Sequence, residues 1–464
     1  MPKFVFLATD IVLLLLLLAG VAYGWYVRRT PDLRGNWARV FEAPAAASAA
    51  LVLALFVLVA LLDSVHYRPL LPAAPGADAA APPAYATSTL SLLDGLLSAP
   101  LAAREKTYSA PLASASFSKE PIVVDGVPQR LYPRLVHGGA HLADPARDWA
   151  ADVAGRGLAG LLAGVVLAGG LAWLVLRRVR RLPRRALLVT AAALGALLGV
   201  LAALAPFYHV FGTDRTGNDV QVQAVKSIRT AVVMGALTTL ATLPFAIVLG
   251  VAAGYLRGWV DDLIQYVYTT LSSVPNVLLI AACVLMIQVF IDNHPQLFET
   301  GVERADLRLF LLCVILGVTG WAGLCRLLRG EALKLRELDY VQAAIAFGAS
   351  PWRIMARHIF PNVVHVVLIT VVLDFSAIVL YEAVLSYVGV GVDPTTNSFG
   401  SMINLARTEM ALDPLVWWNL VTAFVFMLAL VLAANLFADG VRDAFDPRAR
   451  RFRAGADPAG AVAA

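Results

Sequence analysis

The chain has 464 residues, of which 59% are hydrophobic and 15% charged, with a mean hydropathy of +0.73. Soluble globular domains carry roughly 25% charged residues, so this composition excludes a soluble enzyme or binding module and describes a polytopic membrane protein. The net charge of +5 comes from many arginines and few lysines, and arginine clusters beside apolar stretches account for it without nucleic-acid binding.

Nine stretches are apolar enough to cross a bilayer, which takes about 20 helical residues. The first, residues 5–27, holds the run Leu13 to Leu18 and also Asp10, and is followed by Arg28, Arg29, Arg34 and Arg39. The run resembles the core of a signal peptide, but the arginines would then have to be exported, so a retained helix is expected. A second span covers 45–62. Residues 69–86 are rich in Ala and Pro and predict a linker. Ile122 to Val127 has the pattern of a strand entering a turn, so 87–157 predicts a small α+β cap, with ordered loops alone as the alternative. Within it, His137 and His141, with Asp144 and Asp148 nearby, offer a weak metal-ligating pattern. A Gly-rich turn explains them more simply, and no metal site is expected.

Further spans are expected at 158–176, 186–206, 230–256, 263–291, 308–327, 363–387 and 416–438. Arg177, Arg178, Arg180, Arg181, Arg184 and Arg185 lie between the third and fourth. Arg329, Lys334, Arg336, Arg353 and Arg357 follow the seventh, and Arg442, Arg448, Arg450, Arg451 and Arg453 the last. Positive loops stay cytoplasmic, which predicts an external N-terminus, a cytoplasmic C-terminus and one sizeable external segment, 63–157. Pro275 and Asn276 predict a kink in the sixth span. Asp374 and Glu382 lie eight residues apart in the eighth, on one broad side of the helix. With Ser386 and Asn276 they are the candidates to line a pathway, against the simpler reading of local caps and interhelical bonds. Cys283, Cys313 and Cys325 all fall in apolar stretches and imply no disulfide framework.

The segment 336–361 is the best punctuated in the chain. Gly348 is suited to a left-handed helix end, Ser350 and Pro351 to the start of the next helix, and Pro361 to its termination. Arg353 and Arg357 give it a basic face. This predicts a helix-turn-helix that passes motion from a soluble partner into the membrane. The chemistry is not on this chain: no lysine follows a glycine, so a phosphate-binding Gly-Lys-Ser/Thr loop is missing, and no His-Glu-x-x-His or Gly-x-Ser-x-Gly occurs.

Four blocks carry a resemblance. They are Gly212-Thr213-Asp214-Arg215-Thr216-Gly217-Asn218-Asp219-Val220; the loop Gln342-Ala343-Ala344 through Gly348 to His358-Ile359-Phe360-Pro361; Glu382 to Gly391; and Asn435 to Asp443 followed by Asp446-Pro447-Arg448. From about Ala186 to Arg451 the chain resembles the C-type permease subunit of bacterial dipeptide and oligopeptide ABC importers. The resemblance implies an all-α polytopic fold, the transmembrane domain of a type I ABC importer, with a core at 186–451 and six helices. It implies a second, B-type permease subunit, two cytoplasmic ATPase subunits that bind ATP and Mg, and an extracytoplasmic substrate-binding protein. No cofactor is expected on this chain, and no catalysis. ATPase coupling would fall to Gln342, Ala343, Ala344, Gly348, Ser350, Arg353, Arg357 and Pro361, and contact with the binding protein to Asp214, Arg215 and Asp219.

The sequence departs from the family pattern at three places. Gln342 stands where Glu is usual, Asn218 where Arg is usual, and Thr422-Ala423 where Pro-Gly is frequent. The extra N-terminal region divides into helices over 1–62, the external segment 63–157, and a third helix with its Arg-rich loop at 158–185. Residues 452–464 form a tail. From the residues alone, two alternatives stay open: an ion-coupled secondary transporter, whose polar pair Asp374 and Glu382 would imitate, and a membrane scaffold or sensor that uses the external segment.

Overall fold

The computed structural model describes residues 3–71, 85–86, 88–124, 127–179, 182–298 and 300–445. Most of the predicted linker, the turn at Asp125-Gly126, Arg180, Arg181, and the tail with Asp446 to Arg453 lie outside the described residues.

The N-terminal region opens with strand β1 (Lys3–Val5) and helix α1 (Ala8–Arg29), passes through α2 (Pro31–Glu42) into α3 (Pro44–Asp63), and continues as β2 (His66–Arg68). Pro31 and Pro44 sit in first turns, where a missing N–H leaves no bond unmade. β2 pairs antiparallel with β1 and with β3 (Leu90–Ser91), which ties the ends of α1 and α3 together. Two short helices, α4 (Leu92–Leu96) and α5 (Ser98–Ala102), and an antiparallel hairpin of β4 (Glu120–Val124) and β5 (Val127–Leu131) complete a small cap at this end of the bundle.

α6 (Pro145–Leu176) and α7 (Arg184–Leu204) pack backbone against backbone. Gly160 and Gly164 meet Gly199 and Gly195, and a Cβ at any of the four would collide with a carbonyl of the other helix. Small residues four apart are what allow such an approach where lipid supplies no hydrophobic drive between helices.

α8 (Val220–Leu256) has 37 residues, about 55 Å at 1.5 Å per residue, and outruns a hydrocarbon core of roughly 30 Å. Its first turns therefore stand beyond the hydrocarbon core and carry the cap. After it come α9 (Trp259–Ser273), α10 (Asn276–Asn293), α11 (Gly301–Gly320), α12 (Ala322–Arg336), α13 (Asp339–Ala346), α14 (Pro351–Ile354), α15 (Phe360–Tyr387), α16 (Phe399–Glu409) and α17 (Trp418–Phe445).

Among the described residues, eight helical segments are long and apolar enough to span a membrane, and α11 with α12 adds a ninth as a bent pair. Two expected spans differ in form. The expected 263–291 helix is two helices. Val274 is extended, and Pro275 cannot donate the N–H that would join α9 to α10, so the chain breaks rather than kinks. The expected 308–327 span bends by 40° at Trp321.

Two apolar cores stack along the bundle. At the cap end, Leu13, Phe56 and Ala60 from the N-terminal helices join Met234, Ile280, Leu312, Leu385 and Leu430. At the opposite end, Val251, Leu328, Ala332, Val341, Ile354, Ile359 and Val363 unite α8 and α12 with the predicted coupling segment.

Candidate coupling surface and polar sites

Local sequence sets the coupling segment. α13 ends at Ala346, and Gly348 follows at φ +75°, in the region that only glycine enters freely. Nothing within 4 Å would obstruct a Cβ there, so the requirement is one of backbone conformation. Ser350 occupies the N-cap position of α14, but its side chain makes no capping bond.

Pro361 does not end the second helix, contrary to expectation. The chain runs from α14 through a π-helical stretch, Met355–Ile359, directly into α15, with Pro361 in the first turn of α15. The wider π register removes the need for the α-helical bond that proline cannot donate. From Pro351 onward the segment and the membrane span are thus one continuous helical run.

Val341, Ile354, Met355 and Ile359 are buried in the second core, with Ala344 packed against it. Gln342, Ala343, Gly348, Ser350, Arg353, Arg357 and Pro361 lie on the exposed side. Two aromatics that the sequence reading passed over stand out there: Phe347 is 90% exposed and Trp352 is 69% exposed. A bulky apolar residue on either side of a glycine turn, with arginines behind, was visible in the sequence as Phe347-Gly348 and Trp352-Arg353.

Gln342 has an intrachain task. Its Nε2 donates to the carbonyl of Arg336 at 2.9 Å, satisfying the end of α12. A Glu carboxylate has no N–H to donate to that carbonyl. Nearby, Arg329 binds Asp261 through Nε and Nη2 at 2.6 and 2.7 Å, clamping α12 to α9. Asp261 is held below the usual carboxylate range, chiefly by these hydrogen bonds.

The 212–220 block is largely turned inward. Gly212 and Gly217 take positive φ. Asp214 accepts from the backbone N–H of Thr216 and Asn218 at 2.7 and 2.9 Å, and Asp219 caps α8 by accepting from Gln221 N at 2.7 Å. Both carboxylates are buried, at 8% and 4% exposure, so of the three residues expected to meet a binding protein only Arg215 is presented.

The cap covers this block. Glu105 N donates to Gly217 O at 3.0 Å, Thr213 N to Ser109 O at 3.1 Å, and Trp418 Nε1 to Thr213 O at 3.0 Å. Between cap and block lies His209, with Nδ1 2.8 Å from Asp219 and Nε2 3.5 Å from Glu105. Glu105 also accepts from the N–H groups of Val136, His137 and Gly138 at 2.8 to 3.1 Å. Burial opposes charge on the His209 imidazole, but its two carboxylates outweigh that and push its pKa up to about 9. Burial would likewise raise Glu105, but His209 and the three N–H groups hold it at about 2.

The weak histidine pattern resolves into separate contacts. His141 Nε2 lies 2.8 Å from Asp152, while His137 serves Glu105 through its backbone; Asp144 caps α6. Among the described residues no group of three His, Cys, Asp or Glu is placed to hold a metal ion.

Within the membrane the two acids of α15 differ. Glu382 is 1% exposed and accepts from Ser386 Oγ at 2.7 Å, against the N-terminus of α16 at Ser398 and Gly400. It and the buried Ser386 join α15 to α16 rather than face an opening. Asp374 is half-buried, and no partner is shown for it among the described residues. Asn276 is exposed at the start of α10.

A further polar cluster was not visible from sequence spacing. Arg229 of α8, 8% exposed, binds Asp10 of α1 at 2.6 Å, Thr9 Oγ1 at 2.9 Å, Ser64 Oγ at 3.2 Å, and Asp306 of α11 at 3.3 Å. Asp10, 1% exposed, also binds His66 Nδ1 at 2.8 Å. The N-terminal helices are therefore fixed to the core by a buried ionic cluster.

Apolar spans on two stacked cores, a presented helical loop at one end and a cap over the 212–220 block at the other define a multi-pass membrane protein. Residues 246–451 match the family described as binding-protein-dependent transport system inner membrane component. The oligopeptide transport system permease protein OppC of Mycobacterium tuberculosis is 30% identical over 247 residues, 53% of this chain and 78% of its own. The dipeptide transport system permease protein DppC of Lactococcus lactis subsp. cremoris is 30% identical over 241 residues, 52% of this chain and 64% of its own. The glutathione transport system permease protein GsiD of Pectobacterium atrosepticum is 29% identical over 240 residues, 52% of this chain and 73% of its own. A chain from an inward-facing structure of the MetNI methionine ABC transporter is 16% identical with a TM-score of 0.36, covering 49% of this chain and 96% of that one. The chain belongs to the family of binding-protein-dependent transport system inner membrane components. The C-type permease resemblance drawn from the four blocks is borne out by the family match and the peptide-permease relatives, and the protein is a multi-pass inner-membrane protein.

Proposed function

We propose that this permease forms half of the translocation pathway of an ATP-driven importer for peptides or similar small solutes, and takes its power stroke through residues 336–361. Its partners are a second, B-type permease subunit, two cytoplasmic ATPase subunits that bind ATP and Mg, and an extracytoplasmic substrate-binding protein. No cofactor is assigned to this chain. The N-terminus lies outside and the C-terminus in the cytoplasm, by the arginine distribution.

The observation that carries the reading is the Phe347-Gly348 turn, two exposed aromatics on a segment whose other face is sunk in the core shared with α8, α12 and α15. Phe347 and Trp352 fit an apolar groove on an ATPase. Because the π-helical stretch makes α14, which carries Trp352, continuous with α15, groove movement tilts a membrane span as a rigid element. Asp374 is the pathway candidate on α15, and Arg215 with the cap surface the contact for a binding protein.

Gly348→Pro tests this. Proline fixes φ near −65°, against +75° in the structure, so the turn is lost and ATP hydrolysis is uncoupled from uptake. Normal uptake at normal expression would contradict the proposal. Gradient-driven uptake by this chain alone would favour the ion-coupled alternative, and ligand binding by the cap without any transport the sensor.

A further inference from the structure

At the cap end of the bundle is a cavity of 480 Å³ that none of the transport roles uses. Its walls include Phe56 of α3, Leu198 of α7, Ile228 of α8 and Phe426 of α17, and the α4–α5 segment roofs it through Leu97 and Pro100. Leu198 and Val425 on its walls are 45% and 52% exposed, so the cavity opens sideways onto the lipid-facing surface.

Size and chemistry restrict the occupant. From Leu194 on α7 to Ala205 at its C-cap the lining runs about 16 Å at 1.5 Å per residue, or roughly the depth of one leaflet of a 30 Å hydrocarbon core. A slot of that depth, lined almost wholly by apolar side chains, matches an extended acyl chain. Buried water needs two to four polar partners, and the walls are almost wholly apolar. One polar group breaks the apolar lining: Gln221, in the first turn of α8 near the roof, is 6% exposed, and its Oε1 has no hydrogen-bond partner. A buried acceptor left unpaired is costly, and the first turn of α8, beyond the hydrocarbon span of that helix, is where a headgroup could reach it.

We propose that the cavity binds one acyl chain of a phospholipid from the leaflet at the cap end, with a hydrogen-bond donor of the headgroup on Gln221 Oε1. An ethanolamine headgroup supplies that donor and a choline headgroup does not. The bound lipid fills the seam between α3 of the N-terminal region and α7, α8 and α17 of the permease core, so the added helices and the core share a lipid as well as the Arg229 cluster.

The test uses the purified full chain in nanodiscs, with trace phosphatidylethanolamine or phosphatidylcholine carrying a diazirine on one acyl chain, and crosslinks mapped by mass spectrometry. Labelling is expected to concentrate on α3, α7 and α17 at the cavity, above the level at Leu167, a 72% exposed position on α6 outside it. Ala202→Trp and Ala429→Trp fill the cavity from opposite walls, at positions exposed enough to accept the ring, and each lowers labelling to the Leu167 level. Gln221→Leu keeps the labelling but abolishes an ethanolamine preference of roughly three- to tenfold, the worth of one hydrogen bond. Labelling spread evenly over the lipid-facing helices, or unchanged by both tryptophans, would overturn the proposal. Equal labelling by the two headgroups in the unmodified protein would overturn the role of Gln221.

Discussion

Asp10→Asn tests how the N-terminal helices are held. The substitution keeps the side chain's shape but removes the charge 2.6 Å from Arg229. Both groups are sequestered, at 1% and 8% exposure, so screening by solvent is slight. Removing one partner of a buried ion pair costs about 3 to 5 kcal/mol, because the other charge is left uncompensated. Here Arg229 keeps Asp306 at 3.3 Å and two hydroxyls, which places the expected loss near the lower end, about 3 kcal/mol. The assay is unfolding of the purified chain in mixed micelles, compared with Arg229→Met and the double variant. The double variant is expected to lose clearly less than the sum of the singles, since it removes both charges together. If Asp10→Asn unfolds within about 0.5 kcal/mol of the unmodified protein, the level of an ordinary surface change, the cluster does not hold the helices and the reasoning fails.

Other consequences follow from the same geometry. The His209 pKa, raised to about 9, gives the cap seam stability that is complete below the ordinary histidine value of 6.5 and is lost as pH rises through about 9. Glu105, depressed to about 2, contributes above 4.5 and is lost as pH falls through about 2. Hydrogen exchange over 105–117 is therefore expected to be slowest between about pH 5 and 6.5 after correction for intrinsic rates, with the alkaline rise absent in His209→Gln. Gln342→Glu removes the donor to Arg336 O and brings a carboxylate toward a carbonyl, loosening α13 by about 0.5 to 1 kcal/mol at this exposed site, read as faster exchange over 338–346. Asp374→Asn, at a position with no partner shown, is expected to change stability by less than about 0.5 kcal/mol while altering uptake; a large stability loss with normal uptake would make it structural.

What the sequence disclosed was mostly local. Apolar runs marked the spans because lipid demands them, and Gly348 marked its turn because few other residues take φ +75°. Pro361 misled because its effect depends on the register before it, and a π-helical stretch absorbs it. Pro275 acted more strongly than a kink because the preceding Val274 is extended. Asp214 and Asp219 looked like surface acids, yet their neighbours' N–H groups turn them inward. The clusters on Arg229 and His209 were hidden for another reason: Asp10 and Arg229 are 219 residues apart, and Glu105 meets His209 only when the cap closes on the 212–220 block. Asp10 within an apolar run was the one trace of the first cluster, as an ionisable group in a span that needs a partner.

The coupling claim is tested most directly by a crosslink. With Phe347→Cys in the complex assembled with its ATPase subunits, the account predicts a thiol crosslink from position 347 to an ATPase subunit, with a yield that changes on nucleotide binding, and none from a Leu167→Cys control on the lipid-facing side of α6. A complex that assembles and imports substrate, yet gives no crosslink from position 347 in any nucleotide state, would contradict it.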